Sequence, residues 1–261
     1  MTDDQKASAP PLPPVVDRAT WQAELDSLLV REKARTREGD AIAAARRRLP
    51  IVEVDPATPL VGEHGPVPLL EVFEGRRQLI AYFHMWHDGQ PAEGQCEGCT
   101  FFTNGVGDLS YLHSRDITYA TFCQGPYRES RAYRDFMGWD IPWYSVGADS
   151  KDALIAGRWF GMQVCYLRDE ENRVYETYWS SGRAAEAWSP SYGLLDITLY
   201  GRQEPWEDSP EGWPRTFALG GGQFRLDGRP TAQWARLAAG HRDDIGATTT
   251  VSRWDQQDPC H

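Results

Sequence analysis

A nearly continuous apolar run, Gln78 to Phe83, leads through a loop with Asp88, Gly89, Pro91 and Gly94 into Cys96-Glu97-Gly98-Cys99. Such a run suits a central strand buried on both faces. Helical spacing is predicted from Thr100 to about His113. The cysteine pair is therefore expected where a buried strand gives way to a helix. A helix N-terminus presents free backbone N–H groups and favours the thiolate, the reactive form of cysteine. Two thiols at this spacing can close into a disulfide and reopen by exchange. The same spacing is half of a common metal site.

The next strand is expected over Ile117 to Phe122, and a helix over Tyr127 to Met137, ended by Gly138. Trp139 to Tyr144 reads as extended and aromatic, and Asp149 to about Ala156 as a helix. Val164–Arg168 and Val174–Trp179 are strand-like and separated by Asp169-Glu170-Glu171-Asn172-Arg173, a hairpin pattern. Right-handed crossovers would place the first two strands parallel and adjacent, and the hairpin would add antiparallel strands. The expected class is α/β: a thioredoxin-like mixed sheet flanked by helices, with the dithiol after its first central strand.

The flanks divide by composition. Residues 1–14 are polar and Pro-rich and read as a disordered tail. Residues 15–50 read as a helical arm that starts near Asp17 to Thr20, is interrupted at Gly39, resumes over Ala41 to Arg48 and stops at Pro50. The arm must lie against something, which makes it a candidate either for pairing two copies of the chain or for wrapping its own domain. Residues 51–205 would form the thioredoxin-like domain, and 206–261 an irregular C-terminal extension. In that extension Gly220-Gly221-Gly222 marks a turn or hinge, and residues 223–240 a strand and a short helix.

Charge and cysteine usage exclude several classes. The net charge of -11 argues against nucleic acid or an anionic membrane as partner. The basic clusters Arg31 to Arg35 and Arg46-Arg47-Arg48 read as an exposed amphipathic helix. The 5 cysteines are sparse and odd in number, unlike a secreted disulfide framework. The N-terminus lacks a basic segment followed by an apolar one, and no apolar stretch reaches membrane-spanning length. A cytoplasmic protein with reduced thiols is expected.

Several segments together carry a family resemblance. They are Leu28-Leu29-Val30-Arg31-Glu32-Lys33, Arg46 to Pro50, Gln78-Leu79-Ile80 with His84-Met85-Trp86, and Cys96 to Phe102. Ser114-Arg115-Asp116, Met137-Gly138-Trp139, Pro142 to Ser145, Tyr166 to Asp169 and Leu194 to Thr198 complete the set. With them the chain resembles the bacterial family of predicted dithiol–disulfide oxidoreductases, over about residues 20 to 205. The resemblance implies a thioredoxin-like or peroxiredoxin-like core and a thiol redox role. The loop His87 to Gln95 and the part after Gly201 depart from the family pattern.

In the redox reading Cys96 is the attacking thiolate and Cys99, one turn inward and more buried, is the resolving thiol. Glu97 opposes a second negative charge beside it. The substrate would be a thiol or disulfide, on a protein or a small molecule, and no cofactor is required. Trp139, Trp143 and Tyr144 would wall a binding cleft beside the pair. The alternative reading is a zinc or copper site built from His84, His87, Cys96 and Cys99, with Met85 as a further copper ligand. A third is a non-catalytic interaction module. Cys123 and Cys165 are assigned to the core, and Cys260 to the tail. Gly161-Met162-Gln163 holds no proline where thioredoxin-like proteins commonly carry one.

Overall fold

The computed structural model describes residues 11–215 and 223–246. Expectations for residues 1–10, Gly220-Gly221-Gly222 and Cys260 lie outside the described residues. The chain opens with α1, Arg18–Arg46. Asp17 caps it, its carboxylate accepting from the Thr20 amide at 2.9 Å. The helix runs unbroken through Gly39, contrary to the expected interruption. One glycine costs a helix only about 1 kcal/mol relative to alanine, and the alanines from Ala41 to Ala45 offset it. The helix buries none of its residues, so it does not wrap its own domain. Its large apolar side chains stop at Val30, apart from Ile42, so no continuous stripe forms. At its end the Arg46 guanidinium sits 4.8 Å from the Tyr178 ring centroid.

The sheet follows. Its first strands are β1 (Val52–Val54), β2 (Pro59–Gly62) and β3 (Gly65–Pro68), with the short helix α2 (Leu69–Val72) after them. Next come β4 (Gln78–His84), α3 (Glu97–Asn104), α4 (Ser110–His113), β5 (Ile117–Cys123) and α5 (Tyr127–Met137). Then β6 (Trp143–Val146), α6 (Ala148–Ile155), β7 (Met162–Arg168), β8 (Val174–Ser181) and α7 (Pro190–Asp196) complete the body. The C-terminal part adds β9 (Arg225–Leu226), β10 (Arg229–Pro230) and α8 (Thr231–Ala238).

The eight-stranded sheet has the order β1-β8-β7-β4-β5-β6-β2-β3. β4 is central, parallel to β5 and antiparallel to β7. The parallel pair requires a crossover, which α3 and α4 supply. β7 and β8 form the expected hairpin, closed by Asp169, whose carboxylate accepts from the Arg173 amide at 2.9 Å. A parallel β-α-β pair with an antiparallel hairpin beside its first strand is the thioredoxin-like arrangement. The fold is therefore a mixed, thioredoxin-like α/β sheet flanked by helices.

Alternation along β4 makes two cores. Leu79, Ala81 and Phe83 face a layer with Leu60, Phe122 and Val164. Tyr82 faces the other layer, with Cys96, Cys99, Tyr119, Cys123 and Tyr133. Register sets Tyr82 opposite Thr121 and His84 opposite Cys123. The expected helix from Thr100 to His113 is two helices, α3 and α4. Gly105 and Gly107 weaken the segment between them, and the Asp108 carboxylate accepts from the Ser110 amide at 2.7 Å just before the second helix. α5 ends as expected at Gly138, with φ 66°.

Candidate active site

Cys96 is the N-cap of α3. Its sulfur accepts the Cys99 backbone N–H at 3.4 Å. The Cys99 sulfur accepts the Met85 backbone N–H at 3.3 Å and is hydrogen-bonded to the Tyr82 hydroxyl. Neither thiol is in a disulfide. The dithiol thus lies where a central strand hands over to a helix, and each sulfur meets a backbone donor. Burial, reinforced by the neighbouring Cys99, pushes the Tyr82 phenol well above its ordinary range and keeps it a neutral donor.

The two cysteines, Cys96 and Cys99, are equally buried as residues, each 3% exposed. The expected difference between an open Cys96 and a buried Cys99 is absent. The C-terminal segment packs on α3 and on the loop before it. Phe224 stacks on Phe101 of α3 with centroids 4.3 Å apart and planes at 17°. Gln233, fully buried on α8, donates to the Ala92 carbonyl and the Tyr133 hydroxyl, both at 2.7 Å. Tyr133 in turn meets the Thr100 hydroxyl at 2.7 Å, and Thr100 donates to the Cys96 carbonyl at 2.8 Å. A cavity of about 220 Å³ remains between α3 and this segment, lined by Glu97, Phe101, Tyr192, Phe224 and Thr231 among others.

Glu97 does not stand as a bare negative charge beside Cys96. Arg225 pairs with it at 3.0 Å. This offsets the opposition expected of the spacer carboxylate. The loop before the pair is held by the buried side chain of Gln95, which bonds the His87 amide and carbonyl, each at 3.0 Å.

The two histidines have other work in the fold. His87 Nδ1 meets the Gly94 carbonyl at 3.0 Å, and His84 Nδ1 meets the Met85 carbonyl at 2.7 Å. His84 is fully buried among Tyr82, Tyr133, Trp139 and Trp143, and its Nε2 has no hydrogen-bond partner. Burial lowers its pKa to about 4, so the ring is neutral at pH 7. Among the described residues, no three His, Cys, Asp or Glu side chains group as a metal site.

Trp139 and Trp143 stack with centroids 5.8 Å apart and are buried, at 7% and 4% exposure. They fill the same buried layer as the dithiol, and the open cavity that Trp143 and Tyr144 line with Tyr127 and Pro142 has neither cysteine in its wall. Tyr144 packs on the opposite face of the sheet, against Phe122. Both apolar bulk and strand alternation favour this burial. Cys123 is fully buried and its thiol is pushed up to about 12, and Cys165 is pushed up to about 11, in both cases by burial. No described peptide bond is cis, so the bond before Pro142 is trans.

Sequence reasoning missed Tyr82, Tyr133, Arg225 and Gln233. Alternation would have found Tyr82, which shares the face of His84 two positions on. The other three carry no local signal, since their partners lie 33 to 141 residues away.

A family model described as a bacterial protein of unknown function, DUF899, matches residues 10–219. The chain belongs to this family. In this DUF899 protein the matched span stops short of Phe224, Arg225 and Gln233, which pack on α3 and the loop before it. No curated protein matches the chain. Among solved structures it is similar to the peroxidoxin BcpB of Mycobacterium tuberculosis, at 17% identity over 51% of this chain and 86% of that one, with a TM-score of 0.35. It is also similar to peroxiredoxin Q of Xanthomonas campestris, at 16% identity over 52% and 91%, with a TM-score of 0.34. A protein proposed as the thiol:disulfide interchange protein DsbE of Chlorobium tepidum matches at 14% over 56% and 96%, with a TM-score of 0.36. Likeness at this level carries no argument about chemistry, and strand order carries the fold assignment. Among the described residues no helix is long and apolar enough to cross a membrane.

Proposed function

We propose that this DUF899 protein is a thiol–disulfide oxidoreductase, with Cys96 as nucleophile and Cys99 as resolving thiol. The observation that carries the reading is the Cys96 sulfur at the N-cap of α3, accepting the Cys99 amide at 3.4 Å. A sulfur in that position is stabilised as thiolate by the helix N-terminus. It attacks one sulfur of a substrate disulfide, whose S–S bond breaks and whose other sulfur leaves as thiolate. Cys99 then loses its proton to solvent and attacks the Cys96 sulfur, expelling the second substrate thiolate. The products are a Cys96–Cys99 disulfide and a substrate reduced by two electrons. An external dithiol reductant restores the pair.

Tyr82 has a part in the second step. Its hydroxyl, kept protonated by burial, can donate to Cys99 as negative charge develops there. The test is a disulfide-reduction assay with a dithiol reductant, alongside thiol trapping. Cys96→Ser is expected to abolish turnover, and Cys99→Ser to accumulate a mixed disulfide on Cys96. Full turnover by Cys96→Ser would overturn the reading.

A further inference from the structure

Arg225 holds the chain on both sides of Cys96. Its guanidinium pairs with Glu97 at 3.0 Å and donates to the Gln95 carbonyl at 2.9 Å. Its remaining nitrogen donates to the Glu93 carbonyl at 2.8 Å and to the Gly228 carbonyl at 3.0 Å, within its own hairpin. One side chain thus joins the loop, the first turn of α3 and the C-terminal hairpin. A planar fork with several fixed donors suits this task in a way a lysine does not.

The other contacts of the segment point the same way. The Phe224–Phe101 stack and the two Gln233 bonds close the segment over the dithiol layer. Arg229 adds pairs with Glu93 at 2.8 Å and Asp243 at 2.9 Å. Thiol–disulfide exchange needs the attacking sulfur to touch the substrate sulfur. Cys96 is only 3% exposed as a whole residue, which leaves little surface for such an approach.

We propose that Arg225 is a positioning residue that latches the segment from Phe224 to Ala238 over Cys96 and Cys99, so that access to the dithiol is set by opening of this latch. The purpose of the latch in exchange rests on the redox reading above, whereas the masking of the thiols does not. Opening parts the Glu97–Arg225 pair and leaves a carboxylate beside Cys96. Closed, the segment hides the thiol and neutralises its neighbour. The latch is ionic and partly exposed, at 24% for Arg225 and 19% for Glu97, so salt weakens it.

The test is timed labelling of the full chain with iodoacetamide, an alkylating agent whose thioether Cys99 cannot displace, with sites located by peptide mass. In the wild type Cys96 is expected to label at least ~10-fold more slowly than in the urea-unfolded chain, and faster as salt rises. Arg225→Ala is expected to raise the Cys96 rate by about 10-fold and to remove its salt dependence. Its pH profile is expected to shift upward, because the cation beside Glu97 is gone. A merely structural role would not move that profile. Arg225→Lys is expected to fall between the two. Buried Cys123 must stay unlabelled, which shows that the body is folded. If Cys123 labels as well, Phe224→Ala decides by the same criterion, since it leaves the loop contacts in place. A wild-type rate in the folded variant, or a wild-type Cys96 that already labels at the unfolded rate, overturns the latch. A latch that behaves as expected in a protein without disulfide turnover would instead overturn the redox reading.

Discussion

The Tyr82 hydroxyl is hydrogen-bonded to the Cys99 side chain, on the same buried face of β4 that carries His84. Cys99 therefore has one backbone donor and one side-chain donor, and Tyr82→Phe removes the second without changing the ring. A hydrogen bond to a charged group contributes about 1.5–3 kcal/mol. Turnover is expected to fall at least ~10-fold, with the Cys96 mixed disulfide accumulating. Unchanged turnover with no trapped intermediate would remove Tyr82 from the mechanism.

His84 makes stability depend on pH. An unfolded histidine titrates near 6.5, whereas burial holds folded His84 at about 4. Below 6.5 the unfolded chain takes up a proton that the folded protein refuses. The stability contributed by the neutral ring is complete above 6.5 and is lost as pH falls from 6.5 to about 4. The loss amounts to about 3 kcal/mol. Urea midpoints of wild type and His84→Gln between pH 7 and 4.5 isolate it, because the carboxylates are common to both. Equal slopes would show that another group carries the acid sensitivity.

Gly125 lies under Trp86, in the loop that leads from β5. A Cβ there would come within 2.3 Å of the indole, which is 3% exposed. Gly125→Ala is expected to destabilise the fold by about 1–3 kcal/mol through overpacking. Denaturation followed by tryptophan fluorescence reads both the loss and the displaced ring. A variant as stable as wild type would mean that the indole moves freely.

Gly39 is the opposite case. It sits inside α1, and a Cβ there meets nothing within 4 Å. Gly39→Ala is expected to stabilise the helix locally by about 1 kcal/mol. Slower hydrogen exchange of the α1 amides, with little change at β4, is the expected signature. Uniform slowing across both elements would tie the helix to the body.

Metal content checks the dithiol from another side. Among the described residues no three His, Cys, Asp or Glu side chains group together, so freshly purified protein is expected to hold no stoichiometric zinc or copper. Stoichiometric metal lost in the Cys96→Ala, Cys99→Ala double variant would replace the redox reading with a metal one.

The strands β4, β5, β7 and β8, the hairpin at Asp169 to Arg173 and the end of α5 at Gly138 were legible in the sequence, whereas the β2–β3 pair was not. The placement of Cys96 and Cys99 between β4 and α3 was legible too. These follow from local causes: alternation, helical spacing, caps and turn residues act over a few positions. The continuity of α1 through Gly39 was misread because propensity is summed over a window, and one weak residue is outvoted. The Trp139 and Trp143 wall was misread because aromatic side chains signal bulk without saying which side of the sheet fills first.

By itself, then, the sequence determined a thioredoxin-like sheet with a dithiol at a helix N-terminus. Tertiary structure alone decided that this dithiol is covered, that Arg225 neutralises Glu97 from 128 residues away, and that Tyr82 is bonded to Cys99. Those contacts depend on where the chain returns in space, and no periodicity along the chain encodes that return.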